Sequence, residues 1–204
     1  EKYYYFIFIS QVPIWTIYIT NIILNNTLSE AITESDNFNY YLPMRIFEPC
    51  NSCQSLQPQV WRSFSYSLLH LDFYHLLMNS IALLIYSYLN FFYKSKYILF
   101  IYVNSIFIAS LSFIFFNPYN VLVGCSGGVY GLIGASLSHQ IINGLSFKWD
   151  VNVAFGVLNA IPAFILISYY TMSSSRQTAY VSHLYGYLSG LFSGIMVLKR
   201  FQIR

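Results

Sequence analysis

Ser126 and His183 are the residues of this chain best suited to nucleophilic chemistry, and both sit in greasy surroundings. Ser126 lies in "GCSGGVYG" at 124–131, and His183 opens "HLYGYLSG" at 183–190. A histidine within reach of a serine hydroxyl acts as general base and makes the serine a nucleophile. Gly124, Gly127 and Gly128 let the backbone turn sharply there and expose the hydroxyl. Tyr130, four residues after Ser126, shares its helix face and can buttress an imidazole. A third element is "HLDFYHLLMN" at 70–79, where His75 and Asn79 stand four residues apart on one helix face. Both can donate to the oxyanion that develops in acyl transfer. His70 lies in the approach to that helix. No carboxylate is evident to orient His183. Beyond Phe73 the only acid is Asp150, expected on the opposite side, and Asp72 belongs one turn before His75. The pattern therefore reads as a Ser-His dyad, a departure from the three-residue arrangement. Each element has a bland alternative, since a lone G-x-S-G arises by chance and a lone membrane histidine commonly ties helices together. Convergence of all of them at the outer ends of three helices is what carries weight. His139 falls at the inner end of the same helix as Ser126 and reads as interfacial.

The elements that must position these groups are membrane helices. The 204 residues are 56% hydrophobic and 8% charged, against about 25% charged in soluble domains. A spanning helix needs roughly 20 mostly apolar residues. Six runs qualify: Tyr3–Leu24, Phe73–Phe92, Tyr97–Phe116, Val121–Ile142, Val151–Thr171 and Ala179–Leu198. They are continuous rather than alternating, which excludes a β-barrel. The expected fold is an all-α, six-transmembrane-helix bundle forming a single domain over 1–204. Tyr3–Leu24 is long enough to span and reads as a retained helix rather than a signal peptide. Polar residues in such runs are costly in lipid, so His75 and Asn79 must face protein or water.

Eight of the ten glycines fall in the fourth and sixth runs, with Gly186, Gly190 and Gly194 at four-residue spacing. Small residues at that spacing let helix backbones approach closely. Packing alone accounts for most of these glycines, and it also brings Ser126 and His183 to one depth. Seven of the ten basic residues fall on the side of the N-terminus and the 93–96, 143–150 and 199–204 segments. The positive-inside rule makes both termini cytosolic and turns "GCSGG" toward the outer side. No basic cluster points to nucleic acid.

Residues 25–72 form a long outer connection expected to pack at the membrane interface. Its Trp61 and Arg62 suit the headgroup level, where each polar end stays wet. Cys50 and Cys53 form a C-x-x-C for which a disulfide is chemically permitted in an oxidising compartment. The loop lacks the additional ligands of a zinc site, and Cys125 has no evident partner. Asn25 begins a formal glycosylation sequon at the membrane edge. Acidic and cysteine-bearing outer residues favour the secretory pathway or plasma membrane over the mitochondrion.

Taken together, "WR" at 61–62, "HLDFYHLLMN", "GCSGGVYG" and "HLYGYLSG" resemble the rhomboid intramembrane serine proteases, in the family's order and over roughly residues 1–198. The resemblance implies that Ser126 is the nucleophile and His183 its base. It implies an oxyanion hole from His75, Asn79 and the Ser126 N–H, with Tyr130 stacked on the histidine and Gly186 permitting close helix contact. Trp61 and Arg62 match the membrane-embedded first loop, a structural element. Implied substrates are single-pass membrane proteins cut within or near their transmembrane segment, with no metal or cofactor. Ser182 stands where alanine is common in the family. Two other readings compete: a catalytically inactive relative that binds membrane clients, and a small transporter. The second ordinarily shows inverted repeats, and none is visible here.

Overall fold

The computed structural model describes residues 3–23, 60–90, 94–116, 122–143, 161 and 179–202. Its regular elements are helical: α1 (Tyr3–Ile23), a short α2 (Arg62–Ser65) continued by a 3-10 turn (Tyr66–Leu68), α3 (Phe73–Leu89), α4 (Ser95–Phe116), α5 (Ser126–Asn143) and α6 (Ala179–Gln202). By length and composition, α4 and residues 180–198 of α6 can each cross a membrane. The pair formed by 62–68 and 73–88, bent by 102°, passes the same test together. The fifth expected run, Val151–Thr171, lies outside the described residues apart from the helical Ile161.

Local chemistry sets the helix ends. Asp72, extended at φ −150° and ψ 173°, accepts from the His75 N–H at 2.7 Å and so caps α3. At the far end the Asn90 side-chain amide donates to the Tyr86 carbonyl at 2.7 Å and the Leu132 carbonyl at 3.0 Å. One side chain thereby closes α3 and ties it to α5. The fourth run was expected to be helical from Val121, but α5 begins at Ser126. Gly124 has φ +104°, outside the helical region, and its N–H donates to the Tyr66 carbonyl at 3.0 Å. Residues 122–125 are therefore a turn held from outside, and Gly124 lies before the helix rather than within it. Differences elsewhere are smaller: α3 ends at Leu89, short of Phe92, and α6 runs on to Gln202.

Apolar burial does not drive helices together in lipid, because the tails are as apolar as leucine; close packing and hydrogen bonds must. The core follows that logic. The α5–α6 contact is built on glycines, and a Cβ on Gly186 would overlap the Gly127 carbonyl oxygen. One on Gly190 would overlap the Gly131 carbonyl oxygen, and one on Gly134 the Tyr187 carbonyl oxygen. Helix α4 covers the other side of this pair. Asn104 donates to Ser189 and Ser193 at 3.0 Å each, and Ser105 donates to Ser189 at 3.4 Å. Helix α1 is tied to α3 by Trp15, whose indole N–H donates to Ser80 Oγ at 3.2 Å. Gln11 adds a bond to the Ser80 carbonyl at 3.3 Å.

Candidate active site

The site lies where three elements meet: the first turn of α3, the 122–125 turn leading into α5, and the start of α6. Ser126 is the first residue of α5. His183, five residues into α6, brings Nε2 to 2.7 Å from Ser126 Oγ, within hydrogen-bond distance. The two helices approach this closely because Gly186, one turn after His183, rests on the backbone of Gly127. The packing glycines and the Ser126–His183 contact are thus one device. Tyr130 stacks on the His183 ring at 4.5 Å between centroids and 26° between planes. That contact fixes the imidazole plane from the side of α5. The other ring nitrogen, His183 Nδ1, is buried and has no hydrogen-bond partner among the described residues. No carboxylate orients it there, and Asp72 is engaged as the cap of α3.

His75 is brought to the same place from α3. A Cβ on Gly124 would lie 2.8 Å from His75 Cε1 and 3.0 Å from its Nε2, so the ring lies against the turn just ahead of Ser126. That turn therefore needs glycine twice over, for its positive φ and for the space the imidazole occupies. The Leu71 N–H donates to His75 Nδ1 at 3.4 Å. A nitrogen that accepts carries no proton, so in the neutral ring the proton sits on Nε2, the nitrogen beside Gly124. Asn79 Nδ2 spends one N–H on the His75 carbonyl, at 3.1 Å, and a second N–H remains. The Asn79 amide lies 3.9 Å from the same Gly124 position.

The remaining sequence-derived residues are placed as follows. His70 is buried and stacks edge-on to His75 at 5.1 Å. Its Nε2 is 3.5 Å from both the backbone N and the Sγ of Cys125, which is a free, buried cysteine. Arg62 departs from expectation. Instead of reaching water its side chain is 1% exposed, turned inward from α2, with the guanidinium 5.4 Å from the Trp61 ring. Trp61 is 45% exposed and covers it. A buried guanidinium is stable only when hydrogen-bonded, which makes Arg62 part of the interior of the 60–72 segment. His139 lies 13 residues beyond Ser126 on α5, about 20 Å along the axis, and takes no part. Cys50 and Cys53 lie outside the described residues. Among the described residues no group of three His, Cys, Asp or Glu side chains is placed to hold a metal ion.

Sequence reasoning missed Tyr66. Its carbonyl holds the Gly124 N–H at 3.0 Å, and its hydroxyl donates to the Ile106 carbonyl at 2.9 Å. It thereby links the turn before Ser126 to α4. Nothing in a tyrosine of a tyrosine-rich chain marks it for that place.

A family model described as the Rhomboid domain matches residues 57–200. Rhomboid-related protein 2 of Mus musculus is 24% identical over 164 residues, covering 75% of this chain and 53% of that protein. Rhomboid-related protein 3 of Homo sapiens is 28% identical, with 73% and 39% covered. Rhomboid-related protein 1 of Caenorhabditis elegans is 31% identical, with 70% and 41% covered. This chain belongs to the rhomboid family, a family of helical integral membrane proteins. It spans about half or less of the length of these relatives.

Proposed function

We propose that the chain is an intramembrane serine endopeptidase that cuts single-pass membrane proteins within or near their transmembrane segment. The observation that carries this reading is the 2.7 Å contact between Ser126 Oγ and His183 Nε2. In the first step the Ser126 hydroxyl gives its proton to His183 Nε2 while Oγ bonds to the scissile carbonyl carbon. Negative charge moves to the carbonyl oxygen, where His75 Nε2–H, the second Asn79 N–H and the Ser126 backbone N–H receive it. Collapse breaks the C–N bond, and His183 returns the proton to the departing amine. Water, deprotonated by the same nitrogen, then releases the acyl group from Ser126. Tyr130 holds the imidazole plane through both halves, in place of a third polar partner. Geometry supports the role of His75 in particular, because the Leu71 N–H leaves its proton on Nε2.

In this reading the protein is one six-span domain with cytosolic termini and the site open to the outer side, in the secretory pathway or plasma membrane. Trp61 and Arg62 act structurally, and His70 supports the turn before Ser126. Substrates are helices that unwind readily, since an intact helix hides its peptide bonds. The test is cleavage of a helix-destabilised single-pass substrate in liposomes by the unchanged protein, Ser126→Ala and His183→Ala. Loss of cleavage in both variants with preserved melting supports the proposal. Cleavage that survives Ser126→Ala overturns it. Substrate capture without cleavage by the unchanged protein would move the assignment to a client-binding relative.

A further inference from the structure

The outward side of α4, away from the reacting pair, carries two adjoining grooves. One, of about 460 Å³, is lined by Lys96, Leu99, Phe100, Val103 and Phe107 of α4 with Phe64 of α2. The second, of about 380 Å³, lies between α4 and α1, with Ile9, Ile14 and Leu68 on its other wall. Phe64, Leu99 and Val103 line both, so the grooves run side by side. Each volume falls in the ~300–1,000 Å³ range of pockets that hold a single small molecule.

Three features define what fits. The first is length: from Lys96 to Phe107 is 11 residues, about 16 Å of helix. That is about half of a ~30 Å hydrocarbon core, the depth of one leaflet. Second, aromatic rings mark the far end, where Phe64 stacks on Phe107 at 5.4 Å and 11°. Third, the near end is positive, with Lys96 in the lining and its ammonium 5.0 Å from the Tyr97 ring. Between these ends the lining is almost wholly apolar. A neutral lipid offers Lys96 no net opposite charge, and a single chain would fill only one groove.

We propose that α1, α2 and α4 form a binding site for one anionic diacyl phospholipid from the leaflet that holds the N-terminal end of α4. Its phosphate headgroup sits at Lys96 and its two acyl chains straddle Phe64. A basic side chain near the membrane surface is worth about 1 kcal/mol toward an anionic lipid, roughly a fivefold preference. The site touches the short helix that precedes Tyr66, so an occupied groove braces the segment that holds Gly124. This inference does not depend on proteolysis.

Native mass spectrometry of the purified chain from micelles carrying equal phosphatidylglycerol and phosphatidylcholine of matched chains tests it. The expected result is one tightly retained lipid, with phosphatidylglycerol preferred. Lys96→Gln should lower phosphatidylglycerol retention about fivefold and leave phosphatidylcholine unchanged. Val103→Trp, at a position 38% exposed and common to both grooves, should lower retention of both lipids. Phe192→Trp on the exposed face of α6 should change neither. Equal retention of the two lipids by the unchanged protein overturns the proposal, as does a preference that survives Lys96→Gln. If Val103→Trp melts abnormally, Phe100→Ala replaces it, and undiminished retention in that variant overturns the acyl assignment.

Discussion

Under the proposed function, Gly186→Ala should disable the protein with little change in composition, because the helix contact it breaks is the one that brings Ser126 and His183 together. A methyl group at that position would lie 3.0 Å from the Gly127 carbonyl carbon and closer still to its oxygen. Ordinary contacts lie near ~3.5–4.0 Å. Both partners are helix backbone, so no side chain can swing aside, and the helices must part by roughly 1 Å to restore normal contact. Ser126 is bonded directly to Gly127, and His183 lies one turn before Gly186, so the displacement reaches the 2.7 Å contact almost undiminished. Carried past ~3.5 Å, that contact ceases to be a hydrogen bond. A misplacement of about 1 Å in a catalytic pair costs on the order of 100-fold in rate. Overpacking of this kind destabilises by about 1–3 kcal/mol, so melting should fall by several degrees while the chain stays folded. The assay is kcat and KM for a destabilised transmembrane substrate in liposomes, with thermal melting in parallel. The account predicts a kcat near one hundredth of the original and a KM within a few-fold. Unchanged kcat in a variant that melts normally would refute the idea that glycine packing sets the reacting distance.

Other substitutions probe the remaining supports. Gly124→Ala places a side chain at φ +104° and 2.8 Å from His75 Cε1. It should cost about 1–3 kcal/mol in stability and depress kcat at least as strongly as His75→Ala does. Tyr130→Leu removes the ring stacked on His183, an interaction worth about 0.5–1.5 kcal/mol. It should lower kcat by up to about tenfold with KM little changed, read in the same liposome assay. Asp72→Ala removes the cap of α3 and should cost about 1 kcal/mol, seen as a lower melting temperature. Asn104→Ala removes two bonds to α6 at about 0.6 kcal/mol each and should lower melting by a few degrees.

The residues of the candidate site stood out in the sequence because lipid makes polar side chains conspicuous. A histidine, an asparagine or a serine among glycines has few reasons to sit inside a span, and the glycine spacing said which two helices meet. Helix periodicity also placed Tyr130 on the face of Ser126. What the sequence concealed was depth and direction. Arg62 is amphipathic, and an amphipathic side chain near an interface can turn either way; here it turns inward beneath Trp61. Gly124 ends an apolar run, Val121–Val123, that reads as the start of a span, whereas the Tyr66 carbonyl holds it in a turn ahead of the helix. The Asn104–Ser189–Ser193 cluster did leave a signal, an asparagine in one span and serines four apart in another, but nothing pairs them until α4 and α6 are side by side. The grooves beside α4 escape sequence reading altogether, since apolar residues that line a groove look like those on any apolar helix face.

The most direct measurement of the central claim is labelling of the membrane-embedded protein with a fluorophosphonate, followed by peptide mapping. Only a serine activated by a base is phosphonylated at an appreciable rate. The account predicts one adduct, on Ser126, absent in Ser126→Ala and strongly reduced in His183→Ala while both variants melt like the original. An adduct on a different serine, or Ser126 labelling undiminished by His183→Ala, would contradict the assignment of this pair.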